Sequence, residues 1–135
     1  MSEKAEAALE LHGRGCNCAQ SVACAFAGDF DDIDGKQVFR LMEGLGRGVG
    51  DHGGTCGALL GAAAAASLFT SDGELHDPPT KHESHKQSAK LFEEFGKRCG
   101  STLCYEIRGF ETGTPLCSCD DCIATAAELV EELVF

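Results

Sequence analysis

A chain of 135 residues with 43% hydrophobic and 24% charged residues has the composition of one globular domain, not of a disordered segment. Its formal charge of −11, from 22 acids against 11 Lys and Arg, excludes sequence-independent nucleic-acid binding and disfavours anionic membrane surfaces. Surface scaling for this size buries roughly two-thirds of the unfolded area, enough for one core without disulfide staples.

The pattern is helical from end to end, and residues 1–135 read as a single domain. Ala5, Ala8 and Leu9 mark a short amphipathic helix over 3–12, ending near Gly13 and Gly15. Asn17 is an N-cap for a helix over 17–27, where Ala19, Val22, Ala23 and Phe26 keep helical spacing. Val38, Leu41, Met42 and Leu45 form the next helix face, followed by a glycine loop over 44–54. Thr55 caps an alanine-rich helix running to about Phe69. Residues 80–98 make another helix with Leu91, Phe92 and Phe95 inward, and a helical turn spans 101–108. After the loop GFETGTPLCSC, Asp120 or Asp121 caps a last helix with Ile123, Ala126, Ala127 and Val130 on one face. No alternating β-branched run occurs. The expectation is an all-α, bundle-like domain of about five main helices.

The N-terminus MSEKAEAALE carries acids where a signal peptide has a basic start and an apolar run. The stretch from Cys56 to Phe69 is too short to cross a bilayer, which takes about 20 residues. A cytoplasmic protein without membrane insertion is therefore expected. Nine cysteines then become the informative feature. Their number is odd, so disulfide pairing leaves one over, and a reducing compartment favours metal binding or redox chemistry.

Four of them share a position. Cys18 follows Asn17, Cys56 follows Thr55, Cys122 follows Asp121, and Cys104 comes shortly after Ser101. Each falls near a helix start, where free N–H groups and the positive dipole end stabilise a thiolate. Thiolate is the form that attacks disulfides and ligates metals. Against this stand the ordinary use of cysteine as a small apolar residue and the negative charge of Asp120 and Asp121 beside Cys122.

The run Cys117-Ser-Cys119-Asp-Asp-Cys122 contains a CxxC, suited to a reversible disulfide or half a metal site. No histidine follows Cys122, which excludes c-type haem attachment. Cys16 adds a more ambiguous CxC, and Cys24 reads as packing. Cys99 precedes a helix-ending Gly100, where the dipole opposes a thiolate, and reads as structural or incidental.

Gly48-Val-Gly50-Asp-His-Gly53 spells GxGxxG, but after a helix and outside any βαβ unit, so the dinucleotide reading fails. The glycines suit a plain connecting loop or close backbone approach beside Cys56. His52 is the histidine placed for proton transfer or ligation; His82 and His85 lie on a polar stretch that reads as a solvated face.

These residues together resemble the C_GCAxxG_C_C proteins, small bacterial and archaeal chains described as redox-active and named for their cysteines. The resemblance rests on GCNCAQSV at 15–22 and on CGALLG at 56–61 with its glycine-rich lead-in. It extends to Cys104 after Phe-Gly and Gly-Ser and before Arg108-Gly109, and to Cys122 opening the final helix. It covers nearly the whole chain and carries the family's four cysteines onto Cys18, Cys56, Cys104 and Cys122.

The leading expectation is an iron–sulfur or other metal centre for electron transfer on Cys18, Cys56, Cys104 and Cys122. Cys117 and Cys119 serve as alternative ligands, with His52 nearby. A cofactor-free thiol–disulfide oxidoreductase is the alternative, with Cys18 or Cys56 attacking and Cys119–Cys122 resolving. A zinc-stabilised module is the third. Either redox reading needs a partner protein, and an alanine-rich helix face is compatible with a homodimer.

Overall fold

The computed structural model describes residues 1–134, which form α1 (Glu3–Gly13), α2 (Cys18–Ala27), α3 (Gly35–Met42), a 3₁₀ turn (Glu43–Leu45) and a one-turn α4 (Gly46–Val49). They continue as α5 (Gly57–Thr70), α6 (Lys81–Cys99), α7 (Cys104–Arg108) and α8 (Cys119–Val134). The all-α class holds, with six helices of eight or more residues among those described, one more than expected. The only extended pairing among them is an isolated bridge between Thr55 and Leu103.

The core is built on α2, α5 and α8, with α1 across α2 and α8, and α6 across α5 and α8. Small residues set its dimensions. Ala58, Ala62, Ala65 and Ala66 of α5 and Ala126 and Ala127 of α8 are buried, so the helices approach closely. Phe26, Leu59, Leu91, Phe95, Ile107, Ile123 and Leu129 fill the remaining volume. Gly61 is where α5 meets α2: a Cβ there would stand 2.6 Å from the Ala19 carbonyl oxygen and 3.0 Å from Val22 Cβ.

The first turn of α2 is held as the sequence implies. Asn17 Oδ1 accepts from the Gln20 N–H at 2.9 Å, and Gln20 Oε1 accepts from the Asn17 N–H at 3.0 Å, a reciprocal capping box. The same two amides reach outward, Asn17 Nδ2 donating to Glu43 O at 2.8 Å and Gln20 Nε2 to Phe39 O at 3.1 Å. The cap therefore also ties α3 and the 3₁₀ turn to α2. Asn17→Ala is expected to cost about 1–2 kcal/mol in denaturant unfolding, and Asn17→Asp, which keeps the cap acceptor, less.

Three other helix starts differ from expectation. Cys56 is itself the N-cap of α5, displacing Thr55 from that role. Leu103, not Ser101, precedes α7. In α8 the Ser118 hydroxyl accepts from the Asp121 N–H at 3.0 Å, so α8 begins one residue before Asp120 and Cys122 stands at the end of its first turn. Ser118 prevails because a capping side chain must precede the helix it caps.

The expected glycine loop is a strained connector. Arg47, Val49 and His52 have φ of 55°, 62° and 65°, alongside Gly48 at 61° and Gly50 at 107°. Positive φ is uncommon for any non-glycine residue and costly for β-branched valine.

Candidate functional site

The starts of α2, α5, α7 and α8 converge on one cavity of ≈ 140 Å³. It is lined by five thiols (Cys18, Cys56, Cys104, Cys119 and Cys122) together with His12, His52, Arg47 and Arg108. No described carboxylate lines it, on a chain of net charge −11. Asp120 comes near the rim, 3.9 Å from His12 Nε2. The cavity is thus an electropositive recess suited to thiolates and their adducts.

Backbone without side chains makes the room. A Cβ on Gly57 would collide with Cys18 Sγ, and one on Gly48 would lie 2.5 Å from Cys104 Cβ. The strained connector places Gly48 against Cys104, while the Cys104 N–H donates to Gly54 O at 3.0 Å. It also brings His52 Nδ1 to 3.2 Å from Cys104 Sγ and His52 Nε2 to 3.5 Å from Arg47 Nη2. A guanidinium only donates, so Nε2 is the accepting nitrogen and Nδ1–H points at sulfur. Phe110 packs edge-on against the imidazole at 4.9 Å between ring centroids.

Arg108 spans the opposite wall. Its Nη1 donates to Cys119 Sγ at 2.7 Å, and Nη2 donates to Cys117 O at 2.9 Å and faces Cys122 Sγ at 3.8 Å. From sequence, Arg108 stands out only through the family resemblance. Its spacing from Cys104, one helical turn on, already puts both on one face of α7.

Charge is shared unevenly among the thiols. The Cys122 S–H, the N–H groups of Ala58 and Leu59 at the start of α5, and Arg108 together outweigh burial and lower Cys56 to about 6. Cys122 is driven strongly upward because its proton serves Cys56 and Cys99, and burial adds to this. Burial raises Cys18 against the opposing Arg47 N–H, and it raises Cys104 against Arg108. In reduced, metal-free protein, iodoacetamide is therefore expected to modify Cys56 with a rate midpoint near pH 6. Cys18 and Cys104 would react appreciably only above their ordinary value of 9.0. Peptide-level mass spectrometry across pH 5–10 checks the order; the sign follows from thiolate being the nucleophile.

A second group of thiols shares Cys122 with this cavity. The Sγ atoms of Cys99, Cys117 and Cys122 all lie within 4.8 Å of one another. Cys99 is not incidental: the Cys122 S–H lowers it to about 7 against the opposing burial, while burial raises Cys117 to about 11. A neighbouring donor thus overrides the helix-end dipole used to set Cys99 aside. Cys117 belongs to this group and does not line the cavity, whereas Cys119 does. Cys16 and Cys24 belong to neither, and His82 lies exposed on α6.

The arrangement of four helix-start cysteines around one CGALLG segment agrees with a comparison against protein families. Residues 16–133 match the family described as "Putative redox-active protein (C_GCAxxG_C_C)". The chain belongs to the C_GCAxxG_C_C family. No curated protein and no solved structure gave a match. In this member the family's CGAxxG segment, 56–61, supplies the cavity's Cys56, the Gly57 that admits Cys18, and the Gly61 that seats α5 on α2. No described helix is long and apolar enough to cross a membrane.

Proposed function

We propose that the cavity holds a thiolate-ligated metal redox centre of the iron–sulfur type, used for electron transfer. The observation carrying this is one recess walled by five cysteines and two arginines, with no lining carboxylate among the described residues. The donor set fits such a group. Soft thiolates are its normal ligands, and a cluster bearing several of them is anionic, which helix starts and Arg47 and Arg108 compensate. Cys18, Cys56, Cys104 and Cys122 are the proposed ligands, with Cys119 at the rim as a further donor. When bound, the group would supply one-electron chemistry. The chain's own contribution is to fix the sulfurs from four separate helices, to hold His52 Nδ1–H on Cys104, and to keep Arg108 over Cys119 and Cys122.

One observation favours a second reading, thiol–disulfide exchange. Cys56 and Cys122 are neighbours in the cavity, and the Cys122 S–H lowers Cys56 to about 6 while Cys122 itself is driven upward. In that chemistry the Cys56 thiolate attacks a partner's disulfide and releases one partner thiolate. Cys122 then loses its proton and displaces the second, leaving a Cys56–Cys122 disulfide and a reduced partner.

Oxygen-free purification with iron, sulfide and visible absorbance measured on the same sample separates the two. Brown protein containing iron and sulfide is the expected result. Colourless protein without metal, losing two thiols reversibly to a small disulfide, would replace the first reading by the second.

A further inference from the structure

The geometry points to a second metal site in this chain: a zinc ion bound by Cys99, Cys117 and Cys122, with water in the fourth position, joining the end of α6 to the start of α8. Two of these ligands, Cys99 and Cys117, lie outside the four cysteines of the family pattern. Cys122 is common to both sites, so with zinc bound the cavity centre takes Cys119, its rim donor, in place of Cys122.

Three sulfurs mutually within 4.8 Å are close to what a tetrahedral zinc requires. At a Zn–S distance of about 2.3 Å, the sulfur–sulfur edges are about 3.8 Å, so small side-chain rotations close the gap. The donors are all soft, which favours zinc over magnesium or calcium. Being three, they cannot be satisfied by a disulfide, which would leave one over.

The surroundings suit a cation. Cys99 is the last residue of α6, a helix of 19 residues, and its Gly100 cap has φ 90°. The carbonyl end of such a helix opposes a free thiolate, and zinc lessens that opposition by reducing three thiolate charges to a net −1. Zinc with three thiolates carries a net −1, and Arg108, 3.8 Å from Cys122 Sγ and bonded to Cys117 O, supplies the balancing charge. Binding releases to solvent the protons that the thiols hold.

The ligands come from three places the fold must hold together: the end of α6, the segment before α8, and the first turn of α8. With Cys122 engaged by zinc, the cavity still has Cys18, Cys56, Cys104 and Cys119. The fifth thiol of the cavity thus has a use in a two-site protein.

The test uses cobalt(II) as the probe, because its thiolate complexes absorb strongly. Reduced, metal-free Cys18→Ser/Cys104→Ser protein, whose cavity is disabled, is titrated without oxygen. One equivalent per chain with intense thiolate-to-cobalt absorbance is expected, and adding Cys117→Ser should weaken binding at least tenfold. Cys117 is only partly buried, so its replacement leaves the core intact. No binding by the double variant, or equal binding by the triple, overturns the site. A second readout uses the same cavity-disabled Cys18→Ser/Cys104→Ser protein: one equivalent of zinc should protect Cys117 from alkylation, read peptide by peptide. Unprotected Cys117 overturns the site equally. Failure of the cavity reading looks different, because it removes iron absorbance from wild-type protein and leaves the cobalt titration unchanged.

Discussion

Cys56→Ser is expected to abolish the visible absorbance and the bound iron of protein purified without oxygen. Cys24→Ser, which alters a cysteine outside both groups, should leave them unchanged. Cys56 has this weight because it sits where everything meets. It lines the cavity, caps α5, receives the Cys122 proton and lies within electrostatic reach of Cys18 and Cys104. A serine hydroxyl is nearly the same size, so the fold survives, but it does not ionise near pH 7 and is a poor ligand for a soft metal. Far-ultraviolet dichroism establishes that the variant is folded, and iron analysis then gives the answer. Wild-type iron content in folded Cys56→Ser would remove Cys56 from the centre.

The largest expected effect on stability comes from a residue without a side chain. Gly61→Ala should destabilise the protein by about 3 kcal/mol, measured by urea unfolding. The added methyl would meet the Ala19 carbonyl oxygen at 2.6 Å and Val22 Cβ at 3.0 Å, so backbone must move and α5 must lift from α2. Gly96→Ala is the internal comparison. Its Cβ would find only Thr102 Cγ2, at 3.5 Å, an ordinary contact. Removing a helical glycine there should stabilise by about 0.5–1 kcal/mol. Equal effects at the two positions would show that helix propensity, not close packing, governs Gly61.

Both expectations concern the CGAxxG segment, and it shows how far sequence reasoning reaches. Helix existence was legible because periodicity and capping are local: Asn17 and Gln20 lie three residues apart and form their box without help from the rest of the chain. The collection of Cys18, Cys56, Cys104 and Cys122 near helix starts was legible for the same reason. Exact starts were less so, since several side chains compete for each cap. At α8, Ser118 prevails over Asp120 and Asp121.

The residues read incompletely are those defined by neighbours distant in sequence. Cys99, taken alone, has only an unfavourable helix dipole; folded, it has the Cys122 proton and the Cys117 sulfur beside it. Arg108 enters from sequence only through the resemblance; in the fold the chain returns Cys119 to 2.7 Å from its Nη1. His52 could be named, but its pairing with Cys104 depends on a connector holding three non-glycine residues at positive φ, which sequence does not announce. The sequence by itself therefore determined the helical class, the placing of four cysteines near helix starts and the family. Thiolate is favoured in the fold at only one of those four, Cys56, because burial raises Cys18 and Cys104, and the hydrogen bond to Cys56 together with burial raises Cys122. The tertiary structure decided which thiols share a proton, which share a cavity and which arginine faces them, because those interactions act across space at a few ångströms and leave no periodicity along the chain.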